Sequence, residues 1–279
     1  MTVDYHTDPQ AFAEAARVVA ARSPCSEAFV SLWCAGLARH PPVPGVALLL
    51  ATATVGDAHA IAMQHGANPV LLEHSDPEAV RAIAHALADQ GRAVPGVNGV
   101  AAACASFADA WRERTGRRPV ERVRLRHHVL TSVATVPRPP GVSRVASGDD
   151  FDWLVAATDA FGEEAKVPPA PQGTGHYVRE RLGEGRFRLW EAGGIVSFLG
   201  VHGLGEPHAR IGPVYTPREH RGRGYATALV AEASRELLAR GAKRVFLTTD
   251  LANPVSNAIY ARVGFAPLDD MVGYDFVEP

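Results

Sequence analysis

The stretch Arg221-Gly222-Arg223-Gly224-Tyr225-Ala226 decides how this chain is read, because it joins a run of strand character to a run of helix character. Glycines strip a turn of side chains and let a ligand approach the backbone. The helix that follows starts with unpaired N–H groups and the positive end of its dipole, which suits an anion. Arg218 and His220 precede the turn, and Arg221 and Arg223 lie within it, so positive charge surrounds it. The residues describe a diphosphate cradle. Two other glycine-rich devices fit less well. A dinucleotide fingerprint needs glycine where Thr227 stands, and a P-loop needs Gly-Lys followed by Ser or Thr.

Working outward, the strand before the turn covers Ala209–Thr216, and Phe187–Glu191 and Ile195–His202 form a hairpin through Ala192-Gly193-Gly194. After the turn, Leu229, Val230, Ala233, Leu237 and Leu238 give a helix an apolar face, and Gly241 ends it. Val245–Thr248 reads as a strand. Asn253-Pro254 starts a helix as cap and first helical residue, Gly264 stops it, and Val272–Val277 is a last strand. Ahead of the hairpin lie a strand at Val142–Val145, a helix capped by Ser147 or Asp149, a Pro/Gly-rich loop over 163–175 and a helix at His176–Leu182.

The segment Val136-Pro137-Arg138-Pro139-Pro140-Gly141 reads as a linker, since closely spaced prolines remove backbone donors and stiffen the chain. The half before it repeats the same layout. Helices fall at Pro9–Ala21 and Ser26–Ala38, and strands at Val46–Thr54, His59–Met63 and Val70–Glu73. A helix at Pro77–Gln90, a short strand at Arg92–Val94, a helix at Val100–Arg114 and a strand at Glu121–Leu130 complete it.

The second half resembles the GNAT N-acetyltransferase superfamily. One signature is Arg or Gln, two residues, Gly, one residue, then Gly or Ala, filled here by Arg221, Gly224 and Ala226. A second is Asn, a small residue, Tyr, Gly and an aromatic, filled by Asn253, Ser256, Tyr260, Gly264 and Phe265. The resemblance implies an α/β fold of two tandem GNAT-like domains, each a mixed, mostly antiparallel twisted sheet flanked by helices. Residues 1–136 would form a degenerate domain that does not bind cofactor, and 142–279 the catalytic domain. It implies acetyl-CoA as donor, with the diphosphate at the turn of Arg221, Gly222, Arg223, Gly224, Tyr225 and Ala226, and with Asn253, the cap of the next helix, also counted among the cofactor-binding residues. The pantetheine amides would lie along the strand edge at Val214, Tyr215 and Thr216. Tyr260 would be the general acid that protonates the leaving thiolate, a role open to a phenol that is neutral at pH 7. The acceptor would be a small-molecule primary amine, attacking the thioester directly. Such an amine is protonated at neutral pH and must first lose a proton. The strand Ala209–Thr216 carries no Asp or Glu, so Asp250 is the candidate base, ahead of His202, His208 and Glu191. That missing carboxylate also supports the alternative of a non-catalytic acyl-CoA-binding or sensor module.

In the first half, the helix matching the one after the turn begins Ser75-Asp76-Pro77-Glu78, whose acids would repel a diphosphate. Aligning Asn98 with Asn253 puts Ala105 where Tyr260 stands.

Bulk properties agree with an ordinary soluble globular protein, long enough for two modest domains. The chain has 279 residues, is 47% hydrophobic, and has a formal net charge of −2, so charge gives no indication of nucleic-acid binding. In Arg122-Val-Arg-Leu-Arg-His-His the arginines alternate, which reads as one solvated strand face. Cys25, Cys34 and Cys104 form no metal spacing and read as reduced thiols of a cytoplasmic protein. The start of the chain lacks a secretory pattern, and the apolar run Val46–Val55 is too short to span a membrane. No metal or membrane partner is expected, and the protein is expected to be a monomer or homodimer.

Overall fold

The structure is a computed structural model that describes residues 1–41, 45–167, 170 and 172–278. In chain order the first elements are β1 (Thr2–Tyr5), α1 (Pro9–Ala15), α2 (Arg17–Ala20), α3 (Pro24–Arg39), β2 (Leu48–Val55), β3 (Ala58–His65) and β4 (Val70–Leu72). They continue with α4 (Pro77–Asp89), β5 (Gly96–Val100), α5 (Ala101–Thr115), β6 (Arg118–Leu130) and β7 (Val142–Val145). Next come α6 (Phe151–Ala165), α7 (Thr174–Gly183), β8 (Phe187–Glu191), β9 (Ile195–His202) and β10 (His208–Tyr215). The last are α8 (Tyr225–Ala239), β11 (Arg244–Asp250), α9 (Pro254–Val263) and β12 (Ala266–Val277). The proline-rich 163–175 segment is helical through Ala165, and its Pro168, Pro169 and Pro171 lie outside the described residues. The short strand expected at Arg92–Val94 forms instead at Gly96–Val100, because Pro95 precedes the run that can donate to a ladder.

The chain divides into two compact units. Unit 1 holds Met1–His127, Asp250–Ala252 and Leu268–Pro279, and unit 2 holds His128–Thr249 and Asn253–Pro267. These bounds differ from 1–136 and 142–279 for two physical reasons. The proline segment is packed into unit 2: the Trp190 indole donates to the Pro140 carbonyl at 3.0 Å, and Ala134 N–H donates to Val263 O at 2.9 Å. The last strand, for its part, completes unit 1. Met271–Asp275 of β12 pair antiparallel with Val100–Gly96 of β5, and Arg126 grips Asp270 with two bonds. Arg122 pairs with Asp275 and donates to Asn98, so two arginines of the alternating face are tied down rather than simply solvated.

In unit 1 the strand order is β1-β2-β3-β4-β5-β12-β6. Alternate side chains of β2 serve two cores: Leu49, Ala51 and Ala53 meet α4 and α5, whereas Leu50 joins Phe12, Val19 and Val30 under α1–α3. In unit 2 the order is β11-β10-β9-β8-β7, with β10 and β11 parallel and the described pairs of β7 to β10 antiparallel. Phe187, Leu189 and Phe198 form a core with α6 and α7, while Trp190, Leu199 and Val201 meet α8 and α9. Each unit is thus a mixed, mostly antiparallel sheet flanked by helices. Among the described residues no helix is long and apolar enough to cross a membrane.

Candidate functional site

The site of unit 2 begins with an irregularity in β10. Its register against β9 shifts between Ile211 and Val214, at Gly212-Pro213. Proline cannot donate to a ladder, and an extra residue bends the strand away from its neighbour. The described parallel pairing with β11 covers only His208, Arg210 and the residue between them. Val214 and Tyr215 still pair with Leu199 and Phe198 on the β9 side. Their other edge has no strand partner among the described pairs, so a wedge opens toward the turn. A Gly-Pro inside an otherwise regular strand was the sequence signal for this wedge.

Residues 216–224 then lead into α8. Gly222 and Gly224 have φ of 76° and 82°, a region that L side chains rarely adopt, and a Cβ at either would meet nothing within 4 Å. Glycine is therefore required here by conformation, and the space above it is open. Gly224 caps α8 with no side-chain hydrogen bond, and the first helical turn has no acidic residue. The N–H groups of this helix start are available to an outside acceptor. The Tyr225 ring is buried in the unit 2 core, which leaves its N–H at the helix start.

The arginines differ in their partners. Arg223 is exposed and makes no hydrogen bond or ion pair among the described residues. Arg221 donates Nε–H to the Thr216 carbonyl at 2.9 Å, leaving less of that strand edge to an outside amide than expected. Its terminal nitrogen Nη2 meets both oxygens of Glu164, at 2.8 and 3.0 Å. Glu164 stands at the end of α6, and it also accepts from Arg218 and from the Tyr215 hydroxyl, each at 3.3 Å. These guanidinium partners, Arg221 foremost, hold its carboxyl below the ordinary range. No sequence signal pointed to Glu164, since nothing in the pattern of α6 brings its last turn to the glycine loop.

Helix α9 presents the second cluster. Asn253 caps it through Ser256 N–H at 3.1 Å, so its carboxamide oxygen is committed to the helix. Tyr260 has its ring in the core and its hydroxyl without a hydrogen bond among the described residues. Burial pushes that phenol up to about 12, which keeps it protonated and a donor at neutral pH. Beside it stands a residue that sequence reasoning missed. His128 is buried, its ring centroid lies 6.5 Å from that of Tyr260, and its Nε2 is 3.3 Å from Thr249 Oγ1. Thr249 in turn donates to Asn257 at 2.6 Å. The run that contains His128 reads as a plain polar strand until tertiary packing buries its end.

The candidate bases are already engaged. Asp250 accepts from Ala252 N–H at 2.8 Å, a turn-closing bond, and it groups with unit 1. Glu191 pairs with Arg144 at 2.8 Å. His202 lies between Gly212 O, at 2.9 Å, and Arg181. Burial and the nearby Arg181 and Arg210 push it well below its ordinary range, so it is neutral. His208 is buried beside Phe246.

A strand wedge, a glycine-capped helix start and a tyrosine on the next helix follow one another along unit 2. The Acetyltransferase (GNAT) family model matches residues 152–265, a segment that spans all three features. The fold of the whole chain is shared with solved structures of low identity. A GCN5-related N-acetyltransferase from Sphaerobacter thermophilus is 20% identical with a TM-score of 0.65, over 100% of this chain and 96% of that one. A tandem GNAT protein from the clavulanic acid biosynthesis pathway is 16% identical with a TM-score of 0.61, over 100% and 99%. A GNAT-family acetyltransferase from Colwellia psychrerythraea is 13% identical with a TM-score of 0.61, over 99% and 100%. Among curated proteins none matches the chain.

Proposed function

We propose that unit 2 transfers an acetyl group from acetyl-CoA to a small primary amine, and that unit 1 binds no cofactor. The observation that carries this reading is the open wedge of β10 running into a helix start with open space, no acid and a free Arg223. That arrangement fits an elongated ligand with amides along one part and a diphosphate at its end. Acetyl-CoA supplies the acetyl thioester. The backbone N–H groups of Gly222 to Ala226, with Arg221 and Arg223, take the diphosphate charge. The edge at Val214 to Thr216, whose Thr216 carbonyl is shared with Arg221, orients the arm. Tyr260, protonated at its hydroxyl, gives a proton to the departing thiolate.

Proton removal from the amine needs no strand carboxylate if water carries it away. Asp250 remains a candidate only if it gives up its turn bond. The engagement of Asp250, Glu191 and His202 favours a second reading, a non-catalytic acyl-CoA-binding module. The three cysteines, all buried and none in a disulfide, fit a cytoplasmic setting. The test is release of free thiol from acetyl-CoA with a panel of amines. Turnover with any amine supports transfer. Saturable coenzyme A binding without turnover supports the binding module, and absence of both removes the proposal.

A further inference from the structure

The glycine turn carries an acid that works against it. Glu164 sets both carboxylate oxygens on Arg221, at 2.8 and 3.0 Å, and one of them also meets Arg218 and the Tyr215 hydroxyl at 3.3 Å. A carboxylate and a diphosphate both offer oxygens to guanidinium N–H groups, and Glu164 sets both of its oxygens on the one terminal nitrogen Nη2 of Arg221. Arg221 is fixed from its other side by the Thr216 carbonyl, so Nε has no freedom to serve a second anion. We propose that Glu164 is a built-in competitor for the cofactor diphosphate: its carboxylate holds Arg221 and Arg218 in the free protein and is displaced when coenzyme A binds.

This inference rests on the acetyl-CoA reading of the same site and adds a control over it. Displacement is feasible because the pair is only partly shielded: the side chains of Glu164 and Arg221 are 30% and 44% exposed, and ion pairs of that kind are weak. A diphosphate gains the helix start and Arg223 in addition, which Glu164 does not use. The cost is lower affinity for coenzyme A, and the benefit is faster loss of the free coenzyme after transfer. Glu164 also borders a groove of about 350 Å³ with Trp153, Ala160 and Tyr215, so its release changes the wall of a cavity beside the strand.

The test is calorimetric titration of coenzyme A into the full chain and into Glu164→Gln, Arg221→Ala and the double variant, with thermal melts to verify folding. Removing a competitor tightens binding. We expect Glu164→Gln to bind about 5-fold more tightly, ~1 kcal/mol at 1.4 kcal/mol per tenfold. Most of that gain should vanish when Arg221 is already alanine. Weaker binding by Glu164→Gln would make Glu164 a support for Arg221 and overturn the proposal, as would equal affinity. A gain that survives intact without Arg221 would reduce the effect to general charge repulsion and overturn it too. If the parent chain binds no coenzyme A at all, the cofactor reading itself fails and takes this inference with it.

Discussion

Two turns of this chain occupy the same place in the order of elements, and they are opposite in kind. After β10, residues 216–224 wander before α8 begins, whereas after β4 only residues 73–76 precede α4. Counted back from the helix caps, Gly224 corresponds to Asp76, Arg221 to Glu73 and Ala226 to Glu78. The first turn is backbone and open space. The second is filled by its own side chains: Asp76 accepts from Arg22 and His59 N–H, Ser75 accepts from Ile61 N–H, and buried Glu73 accepts from Ser26. The strands follow suit. β10 leaves β11 after Arg210, while β4 stays paired with β5 through Leu72 and Gly99. One architecture makes a ligand site only when its ladder is opened and its helix start is left unsatisfied.

The second helix tells the same story and corrects a sequence alignment. Asn98 is a strand residue that accepts from Arg122, so it is not the counterpart of the Asn253 cap. The cap of α5 is Val100, and counting from it places Phe107, not Ala105, where Tyr260 stands. Phe107 is fully buried and stacks with Trp111 and Phe276. The ring is kept and the hydroxyl is absent.

The largest expected effect follows directly. Tyr260→Phe gives unit 2 the ring of unit 1, and turnover should fall by about 10²-fold or more with coenzyme A affinity unchanged, as a general acid contributes that much. Steady-state rates and calorimetry on one preparation check this, and parent-like turnover where chemistry limits would remove Tyr260 from the acid role.

Next comes the closed ladder. A Cβ at Gly99 would overlap the Leu72 carbonyl, so Gly99→Ala must force β4 and β5 apart. We expect a loss of about 3 kcal/mol in urea unfolding, from strain and lost packing together. A variant of parent stability would mean that the ladder can open freely and that closure is not what separates the units.

Acid resolves the units further. Each anchors a helix start with a carboxylate and an arginine, Asp76 with Arg22 and Asp150 with Arg144. Arg144 brings Asp150 down to about 2, and Arg22 lowers Asp76 as well. A depressed carboxyl stabilises the fold above its unfolded value and loses that contribution as pH falls through the folded one. Asp150, with its side chain 6% exposed, should contribute about 2 kcal/mol at pH 7 that disappears between roughly pH 4 and pH 2. Asp76, at 34%, should contribute less than about 1 kcal/mol. Unfolding of Asp150→Asn and Asp76→Asn against pH measures both.

A further effect, smaller than that at Tyr260, Gly99 or Asp150, concerns the cradle. Arg221→Ala should weaken coenzyme A binding by about 10-fold, the scale of a charge-assisted hydrogen bond. The same titration should give one equivalent per chain. A second equivalent would mean that the side-chain-filled turn of unit 1 binds after all.

Much of this was legible in the chain. Elements of unit 2 fall close to where period, caps and glycines put them, since helix starts such as Asn253-Pro254 and stops such as Gly264 are local chemistry. The glycines of the turn were legible for the same reason. Strand partners were not. β12 goes to unit 1 because Met271, Val272 and Phe276 meet cores made by residues far away in sequence, and its acids find Arg122 and Arg126. Such pairings depend on which apolar face is left uncovered, and no local pattern encodes that. Sequence alone therefore determined that this chain carries a glycine-capped helix start and a tyrosine helix in GNAT order. Tertiary structure alone decided that Glu164 closes on the arginines, that His128 lies beside Tyr260, and that the matching turn of the first half is filled from within.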